Sequence, residues 1–454
     1  MKQLLYIFGL PLILLVASCN KKLDVQPQNY ATSDQIKTSS DVLAILGGGY
    51  AQLQSHAAFG EAYILIPDLF ARKDQVDWVG TFADYKNIWQ KSITATNGVA
   101  SDIWGNSYTI IAIANTVLDK ISLVDTTVKK STIAQAKFMR AAAYFYLVNL
   151  FALPSSDGAA ATNLGVPIVT APVYAYDSVK NKPARATVQQ TYAQIVSDLK
   201  DAMTASPSFY PSEALLAKVY LVMGDYADAA TAANDVIANG GYQLANSYDK
   251  EFNNSGASNE DIFSIAQTSQ SNAGTTNNGI ETFYVPFSGL PQGYVTGRGD
   301  AFADSAYFTH FDDPNDFRQT YFTLGGSIAG ISGTYPNKWQ KFYSTIPVIR
   351  LADMYLIRGE ANLATGAQVG SNAPDDDINF VRARSKAGTI AGATQQDFVE
   401  ERFRELGFEG DRFFTLKRLK MDVDGRNYDD KTLILPIPQS EVDVNKKLIQ
   451  NGGY

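Results

Sequence analysis

Residues 214–230 read ALLAKVYLVMGDYADAA, which is the most informative pattern for the fold. Ala217 and Ala229 are small, so that two helices can approach closely at these positions. Tyr220 fills the gap between the helices, and Gly224 permits the turn that joins them, because glycine adopts turn conformations without a steric penalty. The stretch therefore predicts a pair of packed helices.

The spacing of these residues, with Tyr226, matches the helix pair of a tetratricopeptide repeat. A weaker copy, LADMYLIRGEA, covers residues 351–361, with Ala352 and Tyr355 at the same separation. The two copies are too far apart for a regular array of repeats. The intervening segment 247–341 is rich in Asn, Ser, Gly and Thr, and its many aromatic residues predict ordered loops with short strands rather than a solvated linker.

Apolar residues at helical spacing predict further helices in both halves of the chain. We expect them from about Ser39, over 101–121, over 132–151, from Thr187, over 347–365, over 374–387 and within 394–420. The predicted fold is mainly α: a scaffold of tetratricopeptide-like helix pairs with an irregular, loop-rich half that contains short strands. We expect a single domain over 34–454, composed of a helical part (34–246), a loop-rich insertion (247–346) and a C-terminal helical part with a tail (347–454).

The N-terminus has the pattern of a secreted lipoprotein. Cys19, the only cysteine of the chain, follows a charged start, an apolar run and two small residues. The run is too short for an ordinary membrane-spanning helix, and it is typical of a signal peptide. Val16-Ala17-Ser18-Cys19 resembles the lipobox at which bacterial lipoproteins are cleaved and acylated, although an ordinary signal peptide with a chance cysteine is the alternative. We expect a signal peptide over 1–18, a lipid on Cys19 and a polar tether over 19–33.

Composition argues against several kinds of function. The net charge is −8 and no basic stripe is present, so nucleic acid is not an expected partner. Once Cys19 is acylated, no thiol remains for a disulfide, a nucleophile or a metal. His56 and His310 are the only histidines, which argues against a histidine-rich metal site and a Ser-His-Asp triad. We therefore predict neither a metal site nor a cofactor.

Acidic runs in the sequence do not predict catalysis. Glycoside hydrolysis needs two carboxylates on opposite sides of one bond, whereas neighbours such as Glu400 and Glu401 point apart on a helix. The run 375–377 is typical of a solvated helix start. The segment 312–323 lacks the glycine and the glutamate that an EF-hand calcium loop requires. We therefore expect that the protein is not an enzyme.

Several motifs in order along nearly the whole chain resemble one family. They are FMRAAAYFYL at 138–147, GVPIV at 165–169, IRLADMYL at 349–356, NFVRAR at 379–384, ERFRELGFEGDRFFTLKR at 401–418 and LPIPQ at 435–439. In this order and behind a lipobox, they resemble the SusD/RagB family of outer-membrane nutrient-binding lipoproteins of Bacteroidetes. The resemblance implies the SusD-like α/α superhelix, a lipid anchor in the outer membrane that faces the cell exterior, and a partner TonB-dependent transporter of the SusC type.

The charged residues of these motifs are expected to serve the scaffold. Buried ion pairs along helix faces fix a packing arrangement more than they add stability. We assign this role to Arg140, Arg350, Arg382, Arg404, Glu405, Glu409 and Arg412.

A glycan ligand requires aromatic faces for the C–H faces of a sugar ring and polar groups for its hydroxyls. The best local mixture lies in the loop 74–89, where we select Asp77, Trp78, Phe82 and Tyr85 as candidates. For Trp78, ligand contact and structural packing both stay open. A second region, 283–298, contributes Tyr284, Tyr294 and Arg298, although packing is the favoured role there.

We therefore predict a cell-surface lipoprotein that binds an oligosaccharide or polysaccharide and delivers it to the transporter. Capture of a peptide or glycoprotein is one alternative. A structural scaffold of the transporter complex that binds no ligand is another.

Overall fold

Helices form most of the regular structure in residues 33–174 and 181–454, which the computed structural model describes. The helices are α1 (Ser39–Gln54), α2 (Ala62–Ala71), α3 (Ala83–Gln90), α4 (Gly98–Asp119), α5 (Thr126–Phe151), α6 (Val188–Ala205), α7 (Pro211–Met223), α8 (Tyr226–Asn239), α9 (Ile280–Tyr284), α10 (Leu351–Thr365), α11 (Pro374–Arg384), α12 (Gln395–Leu406), α13 (Asp411–Arg418) and α14 (Gln439–Val444). The strands are β1 (Val76–Trp78), β2 (Asp261–Ile265), β3 (Ala301–Ala303), β4 (Phe322–Gly326), β5 (Ser332–Pro336) and β6 (Ile346–Arg350). Residues 38–454 form one compact unit.

The predicted helix pair is confirmed as α7 and α8. Gly224 ends α7 with a φ of 82°, a left-handed conformation that glycine adopts readily. Ala217, Tyr220 and Ala229 are buried between the packed helices. The weaker copy lies in α10, which packs against α8 on one side and α11 on the other. The scaffold is therefore built from neighbouring helix pairs, as the sequence predicts.

Side-chain caps fix several helix starts. Thr38, Thr187 and Thr394 each accept a hydrogen bond from a backbone N–H in the first turn, and each is part of a capping box. These caps confirm the predicted starts near Ser39 and at Thr187.

The structure differs from the sequence prediction at one helix boundary and adds detail in two segments. Residues 347–350, predicted as the start of a helix, belong to β6, which pairs with β2. The predicted helical segment 394–420 contains α12 and α13, with Phe408 and Gly410 in positive φ between them. Within the loop-rich insertion, residues 282–284 end the short helix α9.

Two small antiparallel sheets lie in the loop-rich half. β2 pairs with β6, and the other sheet has the order β1-β3-β5-β4. In this second sheet Trp78 lies opposite Ala301, so a loop from the N-terminal half is fixed to the loop-rich insertion.

A buried ionic cluster joins the loop-rich half to the C-terminal helices. Glu401 and Glu405 are four residues apart on one side of α12, and Glu409 follows in the turn after this helix. Arginines from different segments bind them: Arg318 binds Glu401 and Glu405, and Arg350 binds Glu405 and Glu409. The connected acids are Glu260, Asp312, Asp316, Glu401, Glu405 and Glu409, and the connected bases are Arg318, Lys338, Arg350, Arg382, Arg384 and Arg404.

The remaining motif arginines also pair as predicted. Arg140 binds Asp198 through two hydrogen bonds of 2.8 and 2.6 Å. The guanidinium of Arg412 lies 3.7 Å from Asp74 and 3.6 Å from the centre of the Phe403 ring. These residues therefore fix contacts between segments.

The predicted signal peptide, Cys19 and almost all of the tether lie outside the described residues. Within residues 33–174 and 181–454, no helix is both long enough and apolar enough to cross a bilayer.

Candidate functional site

The β1–β3 pairing brings the two predicted candidate regions together. The backbone N–H of Val79 donates to the carbonyl of Asp300 at 2.9 Å. The side chain of Arg298 reaches Thr81, 217 positions earlier in the chain, at 3.5 Å. Residues from 74–89 and from 283–300 thus form one continuous surface, which we call the Phe82–Arg298 surface.

An aromatic cluster supports this surface from below. The Trp78 ring stacks on Tyr85 with 5.2 Å between ring centres, and Phe283 lies 5.2 Å from Tyr85. Trp78 is only 3% exposed and Tyr85 8%. Strand pairing and the stack cover both rings, so of the two roles left open for Trp78 its burial supports structural packing.

Tyr284 is also buried rather than exposed. Its hydroxyl donates to Asp68 at 3.0 Å, and no part of the residue is accessible. The position of Tyr284 therefore supports structural packing, the role that the sequence analysis favours.

Phe82 and Arg298 form the accessible part of the surface. The guanidinium carbon of Arg298 lies 4.3 Å from the centre of the Phe82 ring, a cation–π geometry. Asp300 holds this arginine through a hydrogen bond from Nε at 2.7 Å. Burial raises the pKa of Asp300, and the bond with Arg298 opposes that rise. The arginine is thereby fixed with its remaining N–H groups beside an aromatic face.

Two buried polar atoms at this surface have no hydrogen-bond partner in the described structure. They are Nε1 of Trp78, a donor, and Oδ1 of Asp300, an acceptor. Gly80 lies between them: a Cβ on this residue would be 2.6 Å from Cγ of Asp300 and 2.7 Å from Cζ2 of Trp78. These overlaps show that the space beside Gly80 is already filled, so the absence of a side chain lets the backbone pass between Trp78 and Asp300.

Asp77 and Tyr294 occupy the margins of the site. Asp77 is half-buried in β1; burial first, and then the charge of Asp304, raises its pKa. Tyr294 is 62% exposed, on the loop 286–297. Gly297 closes this loop by donating to the carbonyl of Pro286 at 3.2 Å.

The loop 286–297 and the β4–β5 hairpin add exposed apolar side chains that the sequence interpretation missed. These are Phe287, Val295, Leu324, Ile328 and Ile331. The N–H of Ile328 donates to the carbonyl of Arg298 at 2.7 Å, which connects the hairpin to the site. One feature of the sequence could have indicated an exposed apolar loop: residues 286–297 include no charged side chain.

A separate groove of about 460 Å³ lies along α6, α7 and α8. Its lining residues are Lys200, Met203, Thr204, Pro207, Glu213 and Asp235. None of them is aromatic, so the groove lacks the flat face on which a sugar ring would stack. We therefore place the candidate site at the Phe82–Arg298 surface rather than in this groove.

The acids considered for catalysis are engaged in other contacts. Glu400 binds the ring of His310 at 2.6 Å. Burial alone would raise the pKa of Glu401, but the positive charges of Arg318, Arg404 and Arg382 hold this pKa at about 2. Among the described residues, no group of three or more His, Cys, Asp or Glu is placed to hold a metal.

A helical-pair scaffold that presents aromatic, arginine and carboxylate groups on one surface defines a class of binding protein. Residues 22–221 match a family profile described as "Starch-binding associating with outer membrane". Residues 173–454 match the profile of the SusD family. The chain belongs to the SusD/RagB family.

Similar proteins are known along the full length. SusD-like protein P2 of Formosa agariphila is 26% identical over 98% of this chain and 98% of its own length. Starch-binding protein SusD of Bacteroides thetaiotaomicron is 24% identical over 71% of this chain and 72% of its own. A crystal structure of a SusD superfamily protein from Bacteroides thetaiotaomicron superposes with a TM-score of 0.80 at 25% identity, covering 91% of this chain and 99% of that one.

The family match confirms three predictions from the sequence. The fold is the helical scaffold of SusD-like proteins. The family consists of carbohydrate-binding proteins rather than enzymes, and it is associated with the outer membrane.

Proposed function

We propose that this protein binds an oligosaccharide or polysaccharide at the Phe82–Arg298 surface and passes it, chemically unchanged, to a TonB-dependent outer-membrane transporter. The observation that supports this site best is the pairing of the partly exposed Phe82 ring with the guanidinium of Arg298. An apolar ring beside a fixed N–H donor suits the C–H face and the hydroxyls of a sugar.

The rest of the surface suits the same ligand. Phe82 offers an apolar face to the C–H groups of a ring, and the guanidinium of Arg298 lies beside it as a hydrogen-bond donor. Tyr294 offers a second exposed ring on the neighbouring loop. The starch-binding name of one relative and of one family profile supports a glycan over a peptide ligand.

We further propose that a lipid on Cys19 anchors the protein to the outer membrane, with the single domain 34–454 facing the exterior. Acyl chains anchor through buried methylene groups that contribute ~0.8 kcal/mol each, so two or more chains hold firmly. Cys19→Ala should release a folded protein that binds its glycan as before. Loss of binding by the released protein would contradict a purely anchoring role.

The site is tested by affinity gel electrophoresis and titration calorimetry against a panel of polysaccharides that includes starch. Phe82→Ala removes the accessible ring, and Arg298→Gln removes the guanidinium beside it. Each variant should weaken binding at least tenfold.

Phe380→Ala is the matched control, since Phe380 is an aromatic residue that is 50% exposed on α11, outside the site. Its affinity should equal that of the wild type. Retention of full affinity by Phe82→Ala and Arg298→Gln would show that the site is elsewhere. Release of reducing sugar by the wild type would contradict binding without chemical change.

Delivery is tested by asking whether the protein, isolated from its native outer membrane, co-purifies with a TonB-dependent transporter. A stable complex together with glycan binding supports the proposal. A stable complex with no binding to any glycan of the panel would instead favour a purely structural scaffold.

A further inference from the structure

Glu61 connects the two segments that build the Phe82–Arg298 surface. It directly precedes α2 and is fully buried. One of its carboxylate oxygens accepts a hydrogen bond from the hydroxyl of Tyr85. The other accepts from the backbone N–H of Gly279 at 2.7 Å, 218 positions away in the chain. A single side chain therefore holds both the loop that contains Trp78 and the segment that begins α9.

We infer that Glu61 is a positioning residue of the glycan-binding surface, and that the hold of Glu61 and of the neighbouring Glu281 on this surface depends on pH. The inference rests on the proposed function, because the rings that Glu61 positions lie under the proposed binding surface. Tyr85 stacks on Trp78, and Cζ2 of Trp78 lies beside Gly80. α9 contains Phe283, which packs against both rings.

The junction around Glu61 is tightly packed. The N–H of Ile280 donates to the carbonyl of Gly60 at 2.9 Å. A Cβ on Gly60 would lie 2.2 Å from the carbonyl oxygen of Gln54 and 2.4 Å from Cβ of Ala273. Because backbone atoms surround this position, a change in the Glu61 contacts has little free space in which to be absorbed.

A second buried acid, Glu281, lies beside the same contact. It is 1% exposed and accepts from Nε2 of Gln267 at 2.6 Å. Within residues 33–174 and 181–454, no lysine or arginine forms an ion pair with Glu61 or Glu281. The other titratable groups that face Glu61 are Tyr85 on α3, His56 before α2 and Asp102 on α4.

The two acids repel each other when both are ionised. Burial raises the pKa of each to about 7, although hydrogen bonds from Tyr85 and Gly279 oppose the rise at Glu61. A carboxyl group whose pKa is raised in the folded state stabilises that state below its ordinary pKa, and this contribution is lost as the pH rises through the raised value. The start of α9 should therefore be held firmly at pH 5 and less firmly at pH 8.

Hydrogen–deuterium exchange on the mature chain tests this directly, without a ligand. The readout is the protection factor of amides in 279–285 at pH 5 and at pH 8, which corrects for the intrinsic effect of pH on exchange. A shift of Glu61 from its ordinary pKa to about 7 corresponds to a fall in protection of between about tenfold and a hundredfold. The double variant Glu61→Gln/Glu281→Gln should lose this fall, since amides do not ionise.

Glu213→Gln is the matched control. Burial, and then contact with Asp235, raises the pKa of Glu213 to about 8, but this residue lies on α7, within the helical scaffold. It should leave the pH dependence of 279–285 unchanged. If the double variant keeps the same dependence as the wild type, the inference is overturned.

The positioning role has its own readout. At pH 5, Glu61→Ala should lower the exchange protection of amides in both 76–89 and 279–285, and it should leave that of α6 to α8 unchanged. The same variant should weaken retention in a starch gel at least tenfold. Glu61→Gln should restore both, because its amide can still bond to Tyr85 and Gly279. Full protection of both segments in Glu61→Ala would refute positioning. If the wild type binds no polysaccharide, the proposed function fails, whereas the exchange result still decides whether Glu61 holds the two segments.

Discussion

Glu405→Gln tests how strongly the ionic cluster holds the two halves together. Glu405 is fully buried and accepts hydrogen bonds from three arginines: Arg318 at 3.1 Å, Arg350 at 2.9 Å and Arg384. Glutamine keeps the shape of the side chain but removes one negative charge and half of its acceptor capacity. The three guanidinium groups would then lie in a buried environment with too little negative charge.

Breaking a buried ion pair by removing one partner costs about 3–5 kcal/mol. We expect Glu405→Gln to lower the free energy of unfolding by this amount, because the three arginines keep their other carboxylates but lose the shared one. Urea unfolding at pH 7, followed by circular dichroism, measures the change through the midpoint at constant slope.

Glu441→Gln is the control for this experiment, since Glu441 is exposed on α14. A surface substitution of this kind should change the free energy of unfolding by no more than about 0.5 kcal/mol. A loss of less than about 1 kcal/mol for Glu405→Gln would refute the reasoning, and it would mean that the remaining carboxylates neutralise the arginines by themselves.

Two further substitutions test buried charges outside this cluster. Burial raises the pKa of Asp68 to about 8, so its contribution to stability is present below about pH 4 and is lost as the pH rises towards 8. Asp68→Asn should therefore be more stable than the wild type at pH 9, with the advantage shrinking towards pH 5; urea midpoints at the two pH values check this, and an unchanged difference would contradict it. Burial lowers the pKa of Lys417 to about 7, so stability is lost as the pH falls from above 10 through 7. Lys417→Met should raise the thermal midpoint at pH 6 by several degrees and have a smaller effect at pH 10; equal effects at both would show that packing, not charge, decides the result.

The helical scaffold was predictable because its determinants are local. Gly224 and Thr187 act on the turn or helix next to them, and helical spacing is visible within one segment. The Phe82–Arg298 surface was only partly predictable. Phe82 and Arg298 were selected by residue type, but the burial of Trp78 depends on the β1–β3 pairing, which no local pattern specifies.

The residues missed at the site share a physical reason. Asp300 matters because it holds Arg298, and Gly80 because it packs between Trp78 and Asp300. Neither property can be recognised before the distant segments are in place. The same holds for Glu61, whose role depends on contacts with Tyr85 and Gly279 from other parts of the chain.

The ionic cluster also imposes an order on biogenesis. Arg318 and Arg350 precede Glu401, Glu405 and Glu409 in the chain, so a polypeptide emerging N-terminus first presents these arginines before most of their counter-ions exist. Such long-range contacts delay folding until late segments arrive. The loop-rich half and the surface it helps to form therefore cannot be completed until about residue 409 has emerged. If the chain is exported through a narrow pore, as the proposed lipid anchor on Cys19 requires, this delay keeps it unfolded until nearly all of it has crossed.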